Sequence, residues 1–367
     1  MHSPRAHLFR VFWAATFALV VAVSLGVRSQ SQAAVFPGAE WERIADPKSA
    51  GYCQDKLDLV TARLKELPTT GMVVVVGGRV LMDYGDTKFV SYLASVRKSI
   101  LAMLYGNYVK SGKITLDKTL KDLNIDDVSG LSAKEREATV LDLLAARSGV
   151  YHPASNAASS SGGDTVGEAP ARGSVAHGTY FLYNNWDFNA LGTIFEQETG
   201  ESIYDVLERD LAKPIGMQDF NRALQRKTGN ASASKHLAYH MHLSTRDMAR
   251  VGLVMLRQGA WAGQQLVPPD WAKRIVAPLT SVADMHPDDL KKGPFGYGLL
   301  WWVWNGPFNR GAYAGAYTGR GAIGQFITVL PSLDMVVAHK TRQGQREVLW
   351  PEYADVLDKV VAARCGR

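Results

Sequence analysis

The strand-like segments of this 367-residue chain lie towards its two ends, and that separation restricts the fold more than any other feature. Met72 to Val76 is a continuous apolar run closed by Gly77-Gly78, and Val80 to Tyr84 follows at once. Two such runs around a double glycine predict a β-hairpin, because glycine adopts the positive φ angles a tight hairpin turn needs. In the last third, Tyr297 to Trp304, Ala312 to Thr318, Ile323 to Leu330 and Met335 to His339 are short aromatic or β-branched runs separated by glycine, proline or Ser-Leu-Asp. They read as four antiparallel strands. From about Ile114 to Ala277 the pattern is helical or loop, with little alternation. The expected fold class is therefore α+β, an antiparallel sheet split in sequence by a mostly helical inserted domain.

Helices should flank that sheet at both ends. Leu57, Val60, Leu64 and Leu67 mark an amphipathic helix ended by Pro68, and Leu349 to Val361 closes the chain as another. Cys53 and Cys365 lie just outside these two helices. The ends of a domain often lie close together, so a Cys53 to Cys365 disulfide is expected. Two unrelated thiols are the rival reading. Inside the insert, Leu141 to Ala146 and Ala190 to Glu198 read as helices. Ser244-Thr245-Arg246-Asp247 opens another with a capping-box-like start. Ser155 to Gly178 is rich in Ser, Gly, Ala and Pro and reads as a surface insert, with a flap over a site as the alternative. Trp301, Trp302 and Trp304 are expected in the core.

At the N-terminus, Arg5 and Arg10 precede the apolar run Val11 to Val27, and Ser31-Gln32-Ala33 carries small residues where a signal peptidase reads. Residues 1–33 are expected to be a signal peptide, leaving 34–367 as one domain. The α/β part would span about 50–112 and 290–367, and the helical insert about 113–289. An uncleaved anchor is the alternative, so any membrane contact is expected only through this segment. Removal takes away three arginines and no acid, lowering the formal charge from +6 to +3. Basic residues are scattered among acids, which argues against nucleic acid as a partner. His236, His240 and His242 have no accompanying acidic or cysteine ligand of the kind zinc sites use, so no metal and no cofactor is expected.

Three segments carry chemistry. Ser95-Val96-Arg97-Lys98 opens an apolar-periodic helix through Ile100, Leu101, Met103, Leu104 and Tyr108. At this spacing a hydroxyl and an amine share one face, and a desolvated amine can take the proton of a serine nucleophile. Tyr183-Asn184-Asn185 follows the irregular stretch; a phenol near a cationic lysine can act as a general base, and an amide can orient both lysine and substrate. Tyr317-Thr318-Gly319-Arg320-Gly321 reads as a strand meeting a glycine-rich turn, whose backbone N–H groups could approach a substrate closely.

In this order, these segments resemble the three motifs of the serine β-lactamase and penicillin-binding protein superfamily. The Tyr-x-Asn form resembles class C β-lactamases, D-alanyl-D-alanine peptidases, family VIII esterases and 6-aminohexanoate-dimer hydrolases. Ser148-Gly149, Pro214-Ile215-Gly216-Met217 and Ser244-Thr245-Arg246-Asp247 resemble supporting stretches of the same group, and the match spans roughly residues 50 to 365. The resemblance implies Ser95 as acylated nucleophile, Lys98 as its activator, Tyr183 as general base or proton relay and Asn185 as their positioner. It also implies substrate contacts at Tyr317, Thr318, Gly319 and Arg320, with an oxyanion hole from the backbone N–H groups of Ser95 and Arg320. Tyr317 stands where the family usually has a lysine that holds a substrate carboxylate. Hydrolysis of a small amide or ester by an exported, periplasmic enzyme is accordingly expected first. A β-lactamase or D-alanyl-D-alanine carboxypeptidase, with Arg320 supplying the charge, comes second. A non-catalytic penicillin-recognising module comes third.

Overall fold

The computed structural model describes residue 1, residues 34–156 and residues 169–366. The expected signal peptide, Met1 apart, and the middle of the Ser155 to Gly178 stretch lie outside the described residues. Ala34–Arg367 forms a compact unit by itself.

A seven-stranded sheet is its frame: β1 (Thr69–Val76), β2 (Arg79–Gly85), β3 (Phe295–Tyr297), β4 (Trp302–Trp304), β5 (Tyr317–Gly321), β6 (Gln325–Leu330) and β7 (Met335–Thr341). The spatial order is β2-β1-β7-β6-β5-β4-β3, antiparallel throughout. The early hairpin thus joins the late strands through β1 and β7, with Val74 opposite Val337. The central strands β6 and β7 are buried at every position because both faces are covered.

One face meets α5 (Thr245–Leu256), which Ser244 caps by accepting a hydrogen bond from the Asp247 N–H. At Gly252 this helix lies so close that a Cβ would stand 2.4 Å from Val336. Also on this side is α2 (Val96–Lys110). The opposite face is covered by α7 (Trp350–Ala362), whose Tyr353 ring stacks on Phe326 at 4.1 Å. Its partner α1 (Gln54–Lys65) packs beside it. Cys53 and Cys365 are bonded to each other at the outer ends of these two helices. The insert contributes α3 (Val140–Leu144), α4 (Asn185–Thr199) and α6 (Pro269–Ile275).

Three strand boundaries differ from expectation. Tyr297 to Trp304 is a hairpin of β3 and β4, with Trp302 opposite Tyr297 and Leu300 at φ 61° in the turn. Its turn contains no proline, Asn or Asp, so the aromatic run conceals it. At Gly298 the Ile275 carbonyl approaches so closely that a Cβ would stand 2.3 Å from its oxygen. Ala312 to Thr318 begins as a 3-10 turn, and the strand starts only at Tyr317. Gly319-Arg320-Gly321, expected as a turn, continues β5 opposite Gln325 to Ile327. The reversal falls later, at Ile323 (φ 72°) and Gly324 (φ 93°). Helix α4 begins at Asn185, earlier than the Ala190 start expected from the sequence.

Because the disulfide closes nearly the whole domain, Cys365→Ser should lower the urea-unfolding free energy by about 2–4 kcal/mol. The difference from wild type should vanish when both are measured under reducing conditions.

Candidate active site

Ser95 stands at the mouth of α2 because the chain before it is held. Ser91 and Tyr92 pair with Leu243 and His242, and the Leu93 N–H bonds the Met241 carbonyl at 3.0 Å. Ala94 then takes a left-handed conformation (φ 48°), a local cost of the kind found where a side chain must be aimed. Ser95 follows in helical geometry, its hydroxyl at the positive end of a 15-residue helix.

Lys98 is 1% exposed. Its Nζ lies 3.0 Å from Ser95 Oγ, 2.7 Å from the Tyr183 phenol oxygen and 2.7 Å from Asn185 Oδ1. It also sits 4.3 Å from the ring centres of Tyr183 and Phe188. The four residues singled out as catalytic in sequence therefore converge at one ammonium. Burial pushes the Tyr183 phenol up to about 12, while its hydrogen bond with Ser95 and the charges of Arg97 and Arg320 pull it down.

The Tyr183-Asn184-Asn185 segment is fixed by a buried polar network. Asn184 caps α4, accepting from the Trp186 N–H at 2.8 Å, and donates to the Val150 carbonyl at 2.6 Å. Ser148 donates to Asp187 at 2.6 Å. Asp127 accepts from Trp186 Nε1 and the Lys235 N–H, both at 2.6 Å, and from Ser234. Burial raises the Asp127 carboxyl, but these hydrogen bonds outweigh it and leave the group below its ordinary value. Asp127 carries no motif and is far from the other site segments in sequence, so no pattern could have flagged it.

Strand β5 meets the start of α2 through its glycines. A Cβ at Gly319 would lie 3.1 Å from Ser99 Oγ, and one at Gly321 would lie 2.6 Å from the Leu93 carbonyl oxygen and 3.1 Å from the Ser95 nitrogen. The backbone expected to supply the second oxyanion donor is thus pressed against the serine. The side chains expected at the substrate go elsewhere. Tyr317 is buried with its ring 5.4 Å from Trp301, and burial raises its phenol well above the ordinary range. Thr318 Oγ1 is engaged with Thr328 Oγ1 at 2.9 Å and with the Ile327 carbonyl at 3.1 Å. Arg320 lies among the rings of Phe295, Trp302 and Trp350. Strand alternation is the reason: with the glycines turned to α2, Thr318 and Arg320 must take the α7 face.

Sequence reasoning also passed over Trp302, which is buried as expected but lies 5.3 Å from the Tyr183 ring, and Arg97, a buried cation bonded to Ala94 and Asn189. Of the three histidines, His236 bonds Thr193 at 3.0 Å, while His240 and His242 flank Tyr92. Among the described residues no group of three His, Cys, Asp or Glu could hold a metal ion.

Asp127→Ala would leave the Trp186 indole, Ser234 and the Lys235 N–H without their acceptor. It should reduce the unfolding free energy by about 3 kcal/mol in chemical denaturation, with a loss of order at α4 visible in amide exchange.

Comparison with known proteins bears on the fold and the family. A family model described as Beta-lactamase matches residues 57–358. The fold is similar to that of a Bacillus anthracis protein assigned as a 6-aminohexanoate-dimer hydrolase, with TM-score 0.61 and 19% identity over 82% of this chain and 80% of that one. It is similar to a class C beta-lactamase at TM-score 0.61 and 16% identity, over 89% of this chain and 100% of that one. A penicillin-binding protein homologue from Caulobacter crescentus superposes at TM-score 0.60 and 15% identity, over 85% of this chain and 99% of that one. No curated protein matches the sequence. With the family model covering most of its length and the sheet and helices superposing on these folds, the chain belongs to the beta-lactamase family of serine hydrolases.

Proposed function

We propose that this protein hydrolyses an amide or ester of a small substrate through an acyl-enzyme on Ser95. The observation that carries the reading is the Lys98 ammonium, whose Nζ reaches Ser95 Oγ, the Tyr183 oxygen and Asn185 Oδ1 within 3.0 Å. Ser95 Oγ attacks the carbonyl carbon as its proton passes to the Tyr183 oxygen, whose proton-accepting form the neighbouring Lys98 ammonium stabilises. The oxyanion is stabilised by the backbone N–H groups of Ser95 and Arg320 and by the field at the end of α2. The tetrahedral species expels the alcohol or amine, which takes the proton back from Tyr183. A water molecule then repeats the sequence on the acyl group, Tyr183 accepting its proton, and releases the acid and free Ser95. Asn185 holds Lys98 in register through both halves.

A neutral or weakly charged substrate is favoured over a β-lactam or D-alanyl peptide. Both of the latter present a carboxylate, and the position that usually carries the matching lysine is a tyrosine packed against Trp301. The guanidinium of Arg320 is enclosed by rings on the α7 side, which weakens it as a replacement. Retention of Ser95, Lys98 and Tyr183 in one hydrogen-bonded group argues for turnover over a binding module. Export to the periplasm after removal of residues 1–33 is part of the same reading. It is supported by the Cys53–Cys365 bond, since such bonds persist in oxidising compartments.

A fluorophosphonate probe should label the wild-type protein at Ser95, and p-nitrophenyl esters should be cleaved faster than a chromogenic cephalosporin. Ser95→Ala should abolish both labelling and turnover with an unchanged circular dichroism spectrum. Ester hydrolysis persisting in that variant would exclude the mechanism.

A further inference from the structure

The phenol proposed as base lies in a buried site where ionisation is unfavourable, and the strand position where related families usually carry a lysine holds Tyr317. We propose that Arg320, its guanidinium held among Phe295, Trp302 and Trp350, is a positioning residue whose side-chain charge helps keep the Tyr183 oxygen able to accept a proton, acting through space and without the guanidinium touching the substrate. The inference rests on the reading of Tyr183 as general base.

The geometry carries it. The guanidinium carbon of Arg320 is 5.0 Å from the centre of the Trp302 ring and 5.4 Å from those of Phe295 and Trp350. The same Trp302 ring lies 5.3 Å from the Tyr183 ring, so cation and phenol ring both lie against one indole. Among the described residues Arg320 has no carboxylate partner. Its charge is therefore not cancelled by an acid, and the three rings take the place of part of the water that would screen the half-buried guanidinium. The influence is mutual: burial brings Arg320 down to about 10 while Tyr183 acts to raise it, and Arg320 lowers Tyr183.

Other groups face Tyr183 as well, and two of them are cations. Lys98 donates directly to the phenol oxygen and is shared with Ser95 and Asn185. Arg97 also favours the phenolate, from a fully buried position in which it donates to the neutral oxygens of Ala94 and Asn189. Tyr92 opposes ionisation, and the buried phenols of Tyr239 and Tyr297 are themselves held well above their ordinary range by burial. Trp350 gives the arrangement an unexpected dependence. It is the first residue of α7, so the closing helix of the chain helps hold a charge that acts on the base.

The test uses the full mature protein, first shown to label with fluorophosphonate, and follows hydrolysis of a neutral p-nitrophenyl ester across pH. Arg320→Gln should lower kcat by about tenfold or more near neutral pH with KM little changed, and should move the acidic limb of the profile to higher pH. The direction follows from charge: removing a cation raises the phenol's pKa, so its basic form appears later. Arg320→Lys should return the limb most of the way, and Trp350→Ala should move it in the same direction by less, deciding the matter if Arg320→Gln does not fold. An unmoved limb would overturn the inference. So would a loss confined to KM for carboxylate-bearing esters, which would make Arg320 a substrate anchor. Failure of the wild-type protein to label would overturn the acyl-enzyme reading and this inference with it, whereas labelling with an unmoved limb would overturn only the role of Arg320.

Discussion

A lysine ammonium buried among aromatic rings is tolerable only if its hydrogen-bonding capacity is met, and at Lys98 three oxygens from two separate segments meet it. That requirement organises the surroundings. Helix α2 supplies Ser95 on the same face, while Tyr183 and Asn185 arrive from the approach to α4 and from its first turn. Their placement requires the Asn184 cap and the Asp127 and Ser148 bonds behind it. Residues remote from the ammonium in sequence are thus structurally committed to it, since a shift of α4 by one residue would remove two of its three partners.

The sheet contributes by what it omits. Where β5 passes the mouth of α2, Gly319 and Gly321 present no side chain, which lets the backbone come against Ser95 and Ser99. The same alternation sends Thr318 and Arg320 to the opposite face, against α7. One strand therefore serves two environments: a bare backbone edge for the serine and a caged cation behind it. The hairpin of β3 and β4 joins these environments, because Leu300 in its turn accepts from Ser99 while Trp302 touches both Arg320 and Tyr183.

Much of this was legible in advance, and the reasons are local. The S-x-x-K spacing places two side chains on one helical face irrespective of tertiary context, and the double glycine of the β1–β2 hairpin and the Ser244 cap of α5 likewise act through near neighbours. The misread segments are those governed by contacts from afar. Nothing in Leu299-Leu300-Trp301-Trp302 marks a reversal; the turn exists because α2 and the Ile275 carbonyl approach it. Gly319-Arg320-Gly321 has turn composition, yet it is a strand because Gln325 to Ile327 pair with it and α2 leaves no room for side chains.

The resemblance to a known family joined Tyr183 and Asn185 to the site, whereas the sequence by itself determined the split of the sheet, the helices at its two ends and the candidate nucleophile with its lysine. These depend on residue type and spacing along the chain, which sequence contains in full. Only the tertiary structure decided that Tyr317 is packed against Trp301, that the Thr318 hydroxyl is used within the sheet, and that the charge of Arg320 stands behind an indole rather than in front of the serine. Which face of a strand a side chain takes depends on register against neighbours far away in the chain, and a shift of one residue exchanges the faces.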